Sequence, residues 1–131
     1  MTNPFLIALA LLVATTACGN SAPIIPTEEA RHHLTNGAVL IDVRTIDEYN
    51  AKHLTNAIHI PLDTLKFKLP AQVPDRSQAL LLHCRTGRRS GIAETELRAM
   101  GYTNVFNVGS LEQAEKASGT KAQSGQPGSK N

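Results

Sequence analysis

The chain has 131 residues, of which 41% are hydrophobic and 18% charged, with a formal net charge of +2. That length holds one hydrophobic core but not two, and so small a net charge demands neither nucleic acid nor an anionic membrane surface as partner. Trp is absent and aromatic residues make up 4% of the chain, which argues against a surface that stacks on bases.

The first element is an apolar run from Phe5 to Ala14. It is too short to span a bilayer, and its place at the N-terminus is that of an export-signal core. Thr15, Thr16 and Ala17 then lead to Cys18 and Gly19, so residues 1–17 are expected to be a signal peptide. Residues 18–26 read as a spacer, because Pro23 and Pro26 deny it a helix. Thr27 has the character of an N-cap, with Glu28 and Glu29 in the first turn where the helix dipole favours them. That helix is expected to end near Leu34, ahead of Asn36-Gly37.

Ala38 to Ile41 is a continuous apolar run, fit for a strand covered on both faces. A short helix over 47–54 follows, then a strand from Ala57 to Ile60 ended by Pro61. Leu62, Leu65, Phe67 and Leu69 predict a loosely amphipathic helix before Pro70. Ala79 to His83 is the central strand. Arg88 to Met100 is the longest helix, with Ile92, Ala93, Leu97 and Met100 on one side and Gly101 closing it. Val105 to Val108 predicts the last strand and Leu111 to Lys116 the last helix. Residues 118–131 are rich in Gly, Ser, Lys and Gln without apolar periodicity and are expected to be disordered. Strands alternating with helices predict an α/β domain over 27–117 with a mostly parallel sheet, whose ligand sites lie at the carboxyl ends of strands.

Cys84 falls at such an end. Arg85, Thr86, Gly87, Arg88, Arg89 and Ser90 follow it. A cysteine between a strand and a helix start faces backbone N–H groups and the positive end of the helix dipole. Three arginines add to that field, and such a setting favours a nucleophilic thiolate and cradles an anion on the sulfur. The competing reading is a buried structural cysteine beside arginines on a solvated face. Cys18 and Cys84 are the only cysteines. No pair at metal-ligand spacing exists, and His53 and His59 match no common zinc pattern, so no metal is expected.

The loop from Cys84 to Ser90 resembles the active-site loop of the rhodanese family. Ile41 to Tyr49, with Asp42, Val43, Arg44 and Glu48, resembles that family's first signature. His53 to Pro61 resembles its second, and Gly101 to Val105 with Gly109 to Leu111 its closing strand and turn. The resemblance spans about Thr27 to Ala117. It implies a rhodanese-like α/β fold, a mostly parallel sheet of about five strands flanked by helices. It also implies a sulfurtransferase without cofactor that takes sulfur from a small anionic donor such as thiosulfate onto Cys84 as a persulfide. A thiol, or cyanide in an assay, then accepts it. Residues 85–90 would bind the donor and stabilise the persulfide, with Arg89 closing the ring. Asp42, Arg44 and Glu48 would brace the site, with Glu48 pairing to Arg44. His83 is expected to be a hydrogen-bonded core residue.

His83-Cys84 followed by Arg89-Ser90 also resembles the protein tyrosine phosphatase signature, but four residues separate Cys84 from Arg89, one fewer than that signature has. The tighter ring suits a persulfide better than a phosphoryl group. A further alternative is a sulfur-carrier or interaction module with little turnover. The sequence departs from the rhodanese pattern at Lys52 and Asn56, where the family often has Gly, and at Ala114, near a family Trp. The stretch around Cys18 resembles a bacterial lipoprotein processing site. That resemblance implies lipidation of Cys18 and a periplasmic protein held on a membrane by its lipid; the competing reading is a cleaved secretory peptide with Cys18 left as a free thiol or lost. The protein is expected to be a monomer.

Overall fold

A computed structural model of the chain describes residues 22–125. The expected signal peptide, Cys18 and the last six residues lie outside the described residues. Strands β1 (Val39–Asp42), β2 (Ile58–His59), β3 (Leu80–Cys84) and β4 (Val105–Ser110) form one sheet in the order β2-β1-β3-β4, with every pair parallel. Helices α1 (Thr27–Thr35), α2 (Ile46–Ala51), α3 (Leu65–Gln72), α4 (Arg88–Ala99) and α5 (Leu111–Ser118) complete the domain.

The sheet has four strands where about five were expected. At the edge beyond β4 the fifth position shrinks to a single parallel bridge between Ile24 and Asn107, with the Ile25 N–H donating to the Asn107 carbonyl at 2.9 Å. Pro23 and Pro26 flank that bridge, and neither has an N–H with which to extend the ladder.

Strand alternation divides the core. Leu80, Leu82 and Cys84 of β3 point to the layer that holds Ile41, Leu65, Leu69 and Leu97, because side chains two apart share a face. Leu81 points the other way, among Ala30, Leu54, Val108 and Ala114. Cys84 therefore faces α3 and α4, while α1 and α5 cover the back. Ala114 is fully buried there.

Several boundaries differ from expectation. α1 begins after Pro26 without a side-chain cap, so Thr27 is its first residue and not its N-cap. α3 runs through Pro70 to Gln72, and Phe67 projects into solvent, 83% exposed. In α4, Ile92 is partly exposed, while Glu94 is buried and accepts from Arg98 Nε at 3.1 Å. Ser118 belongs to α5, which Gly119 ends in a left-handed cap. The chain then returns to the domain, where His53 and Gln123 exchange backbone hydrogen bonds of 2.9 and 2.8 Å. Lys52 is extended, at φ −161°, and no non-glycine among the described residues has a positive φ. The departures at Lys52 and Asn56 thus demand no left-handed backbone.

Candidate active site

Strand order reverses between β1 and β3, and ligands of open parallel sheets bind at such a switch point. Asp42 ends β1 and Cys84 ends β3, so the topology brings the first signature and the cysteine loop together. The loop turns at Gly87, whose φ is +95°. A Cβ there would lie 2.8 Å from Ile24 Cδ1 and 3.2 Å from Gly109 Cα, so the position needs glycine for both its dihedral and its neighbours.

The Gly87 N–H donates to Cys84 Sγ at 3.0 Å, and the Ser90 hydroxyl lies 3.5 Å from the same sulfur. Burial pushes the Cys84 thiol up. Hydrogen bonds from the Ser90 hydroxyl and from the N–H groups of Ser90, Thr86 and Gly87 outweigh it, and the thiol ends below its ordinary value. Cys84 has no surface exposed to water. Arg85, Thr86 and Arg88 around it are exposed.

The arginines divide into two kinds. Arg89 is clamped by Glu48 in a two-pronged ion pair, with 2.6 Å from Nη1 to Oε2 and 2.8 Å from Nη2 to Oε1. That pairing, opposed by partial burial and helped by Thr45, holds the Glu48 carboxyl down at about 2. The Arg85 and Arg88 guanidinium groups have no ion-pair partner among the described residues.

The expected Arg44–Glu48 pair does not form. Arg44 turns back onto Asp42, with 2.9 Å from Nε to Oδ1 and 2.7 Å from Nη2 to Oδ2, and it also donates to the Lys52 carbonyl at 2.7 Å. Glu48 is occupied instead by a capping box on α2 and by Arg89. Arg44 reaches only the Glu48 carbonyl, at 3.5 Å, while the carboxylate is held by Arg89.

His83 is buried as expected, but neither ring nitrogen has a hydrogen-bond partner, and its Nε2 stands 3.7 Å from Asp42 Oδ2. Burial, only partly opposed by Asp42, keeps it below its ordinary value, so the ring is neutral at pH 7. His53 and His59 stack on the two faces of Tyr49, at centroid distances of 3.9 and 4.2 Å. An open cleft of about 670 Å³ beside the loop is lined by Arg44, Glu48, Lys52, Arg85, Glu112 and Glu115 among others.

Sequence reading passed over Asn107, in the middle of β4. It is 1% exposed and contacts the loop from below. Its signal was present: an Asn inside an apolar strand must find partners for two donors and an acceptor or pay for their desolvation.

The site is a cysteine held in a ring of N–H and hydroxyl donors between strand and helix, on an open parallel α/β sheet. Residues 26–117 match the family model of the rhodanese-like domain, and the chain belongs to that family. It is 42% identical over 72 residues to the thiosulfate sulfurtransferase PspE of Escherichia coli (strain K12), covering 55% of this chain and 69% of that one. A solved structure described as a rhodanese with anions from E. coli is 39% identical, with a TM-score of 0.56 over 59% of this chain and 91% of that one. The tRNA uridine(34) hydroxylase of Erwinia tasmaniensis is 35% identical over 86 residues, 61% of this chain, but the match spans only 25% of that longer protein.

Proposed function

We propose that the protein is a sulfurtransferase that moves a sulfane sulfur from thiosulfate, or a donor like it, to a thiol acceptor through a persulfide on Cys84. The observation that carries this reading is the ring of donors around Cys84 Sγ, which favours the thiolate despite burial. The likeness to PspE and to a rhodanese with anions supports the same class.

In the first step the Cys84 thiolate attacks the outer sulfur of thiosulfate. A new S–S bond forms, the donor's S–S bond breaks, and sulfite leaves with the bonding pair. In the second step the acceptor's thiolate takes the outer sulfur and Cys84 is regenerated as thiolate. This is covalent catalysis with ping-pong kinetics. The N–H groups of Thr86, Gly87 and Ser90 stabilise the persulfide anion as an oxyanion hole does oxygen. Arg85 and Arg88, exposed and without ion-pair partners, draw in the dianionic donor. Arg89, fixed by Glu48, closes the ring, and Asp42 with Arg44 fixes the end of β1 beneath it. No step needs a metal or cofactor.

One observation favours a second reading, that of a sulfur carrier. Cys84 has no exposed surface, which restricts a small donor's access to the sulfur and slows turnover with small molecules. Mass spectrometry decides between the two. Thiosulfate treatment that adds one sulfur to Cys84, followed by thiocyanate release in cyanide at many turnovers, supports the enzyme. One sulfur without turnover supports the carrier, and no added sulfur overturns both. Export, with lipid attachment at Cys18, belongs to the same proposal and places the reaction in the periplasm.

A further inference from the structure

We propose that Asn107 is a positioning residue for the Cys84 sulfur: it holds the Gly87 carbonyl and the Ser90 hydroxyl beneath the thiol and accepts the hydroxyl's hydrogen bond whenever the sulfur does not. The inference deepens the proposed reaction and rests on Cys84 being the reactive group.

Asn107 reaches the loop by strand alternation: two residues after Val105, whose side chain lies in the α4 layer, it points to the same side, under the start of that helix. Directly after it the β3–β4 register passes from Leu82 opposite Asn107 to His83 opposite Gly109, leaving Val108 as an extra residue. At this bulge the Gly109 N–H donates back to the Asn107 side chain. Every polar atom of its side chain is used. Nδ2 donates to the Gly87 carbonyl at 2.9 Å and to the Ala22 carbonyl at 3.0 Å. Oδ1 accepts from the Ser90 hydroxyl at 2.7 Å and from the Gly109 N–H at 3.0 Å. One buried amide thus holds two of the groups that line the sulfur.

The hydroxyl makes the arrangement more than scaffolding. Ser90 Oγ has one proton and two acceptors within reach, Asn107 Oδ1 at 2.7 Å and Cys84 Sγ at 3.5 Å. Beside a neutral thiol, the carbonyl oxygen is the nearer and stronger acceptor. Beside a thiolate or persulfide anion, the charge-assisted bond to sulfur wins, and Oδ1 keeps the Gly109 N–H. Only a hydrogen bond turns; no covalent bond is made or broken. Asn107 spares the hydroxyl an unsatisfied state in the neutral form and keeps Oγ where the anion will need it.

The test uses the full-length chain with Asn107→Leu, which keeps the volume and removes the polar atoms, alongside Ser90→Ala and the double variant. Alkylation of Cys84 by iodoacetamide is followed against pH through the mass of its peptide, with thiosulfate kinetics and melting temperature measured in parallel. Each single variant should raise the apparent thiol pKa by about one unit, the size of a lost hydrogen bond to a charged group. The double variant should rise by less than the sum, because Asn107 acts in part through Ser90. Arg89, Asp42 and His83, the charged and titratable groups near the sulfur, are unchanged in all three. In the kinetics, kcat should fall more than KM changes. A lowered melting temperature with an unchanged alkylation profile, or strictly additive shifts, overturns the proposal. If Asn107→Leu does not fold, the wild-type side-chain amide resonance of Asn107 decides: it should move as Cys84 titrates, and a resonance indifferent to the thiol overturns the idea. The alkylation profile needs no sulfur transfer, so a protein inactive toward thiosulfate would sink the proposed function and leave this inference to be judged separately.

Discussion

Cys84 is the one cysteine among the described residues, and Cys84→Ser is expected to abolish sulfur transfer with the fold retained. A serine hydroxyl is not ionised near neutral pH and cannot carry a persulfide; activity above about a percent of wild type would contradict its role as nucleophile. Arg85→Ala and Arg88→Ala should each raise KM for thiosulfate about three- to tenfold at low ionic strength with little change in kcat, and the effect should fade as salt rises. An unchanged KM in both variants at low salt would remove these side chains from donor capture. Glu48 allows a pH test. Its carboxyl sits at about 2 in the folded protein against an ordinary 4.5, held there first by Arg89. A depressed folded value stabilises the protein above the unfolded one and loses that contribution as pH falls toward the folded value. Wild type should therefore melt above Glu48→Gln at neutral pH, by an amount reflecting about 1–2 kcal/mol. The gap should close as pH falls from 4.5 to about 2. A gap that persists undiminished at the acid end would mean the ion pair is not its source.

The element that decides the chemistry is the turn from β3 into α4. Its length sets the ring, and Gly87 sets its shape at φ +95°. Gly87→Ala forces a Cβ into a left-handed position against Ile24, at an expected cost of about 1–3 kcal/mol. It should also slow alkylation of Cys84, because the N–H at 3.0 Å from the sulfur moves with the turn. Enlarging the ring tests the alternative chemistry. The protein as it stands should not hydrolyse an aryl phosphate. A Gly inserted after Thr86 should cut sulfur transfer sharply and permit weak binding of a phosphate-sized oxyanion. Robust phosphatase turnover by the unmodified chain would overturn the sulfur reading while leaving the fold in place. Around this turn the neighbouring elements act as fixtures. The capping box of α2 presents Glu48 to Arg89, and the alternation of β4 presents Asn107 to Gly87 and Ser90.

No helix among the described residues is long and apolar enough to cross a membrane. The apolar stretch from Phe5 to Ala14 followed by Cys18 carries the proposal of export and lipid attachment. Two or more acyl chains at Cys18 would give stable anchoring where one is marginal. Fractionating cells that express wild type or Cys18→Ala, with the intact mass of the mature chain, checks this. The wild type should partition with membranes and the variant should not. A mature cytoplasmic protein with Met1 attached would defeat both claims, and a soluble periplasmic chain without its first segment would defeat the lipid alone.

Local signals in the sequence determined the parallel α/β architecture, the cysteine at a strand end and the tight loop behind it. Apolar runs of strand length, Gly and Pro punctuation and residue spacing are all read within a few neighbours. The family resemblance carried by three ordered motifs added Asp42, Arg44 and Glu48 to the site. Tertiary structure decided the partners. Arg44 and Glu48 lie four residues apart and could have paired along one turn, yet Arg44 folds back onto Asp42 two residues before it, and the loop brings Arg89, distant in sequence, onto Glu48. The fifth strand collapsed to one bridge once the flanking prolines met the edge of β4. Asn107 showed in the sequence only as a polar residue inside an apolar strand: three of its four bonds go to Ala22, Gly87 and Ser90, distant in sequence, so its place under the sulfur exists only in the folded chain.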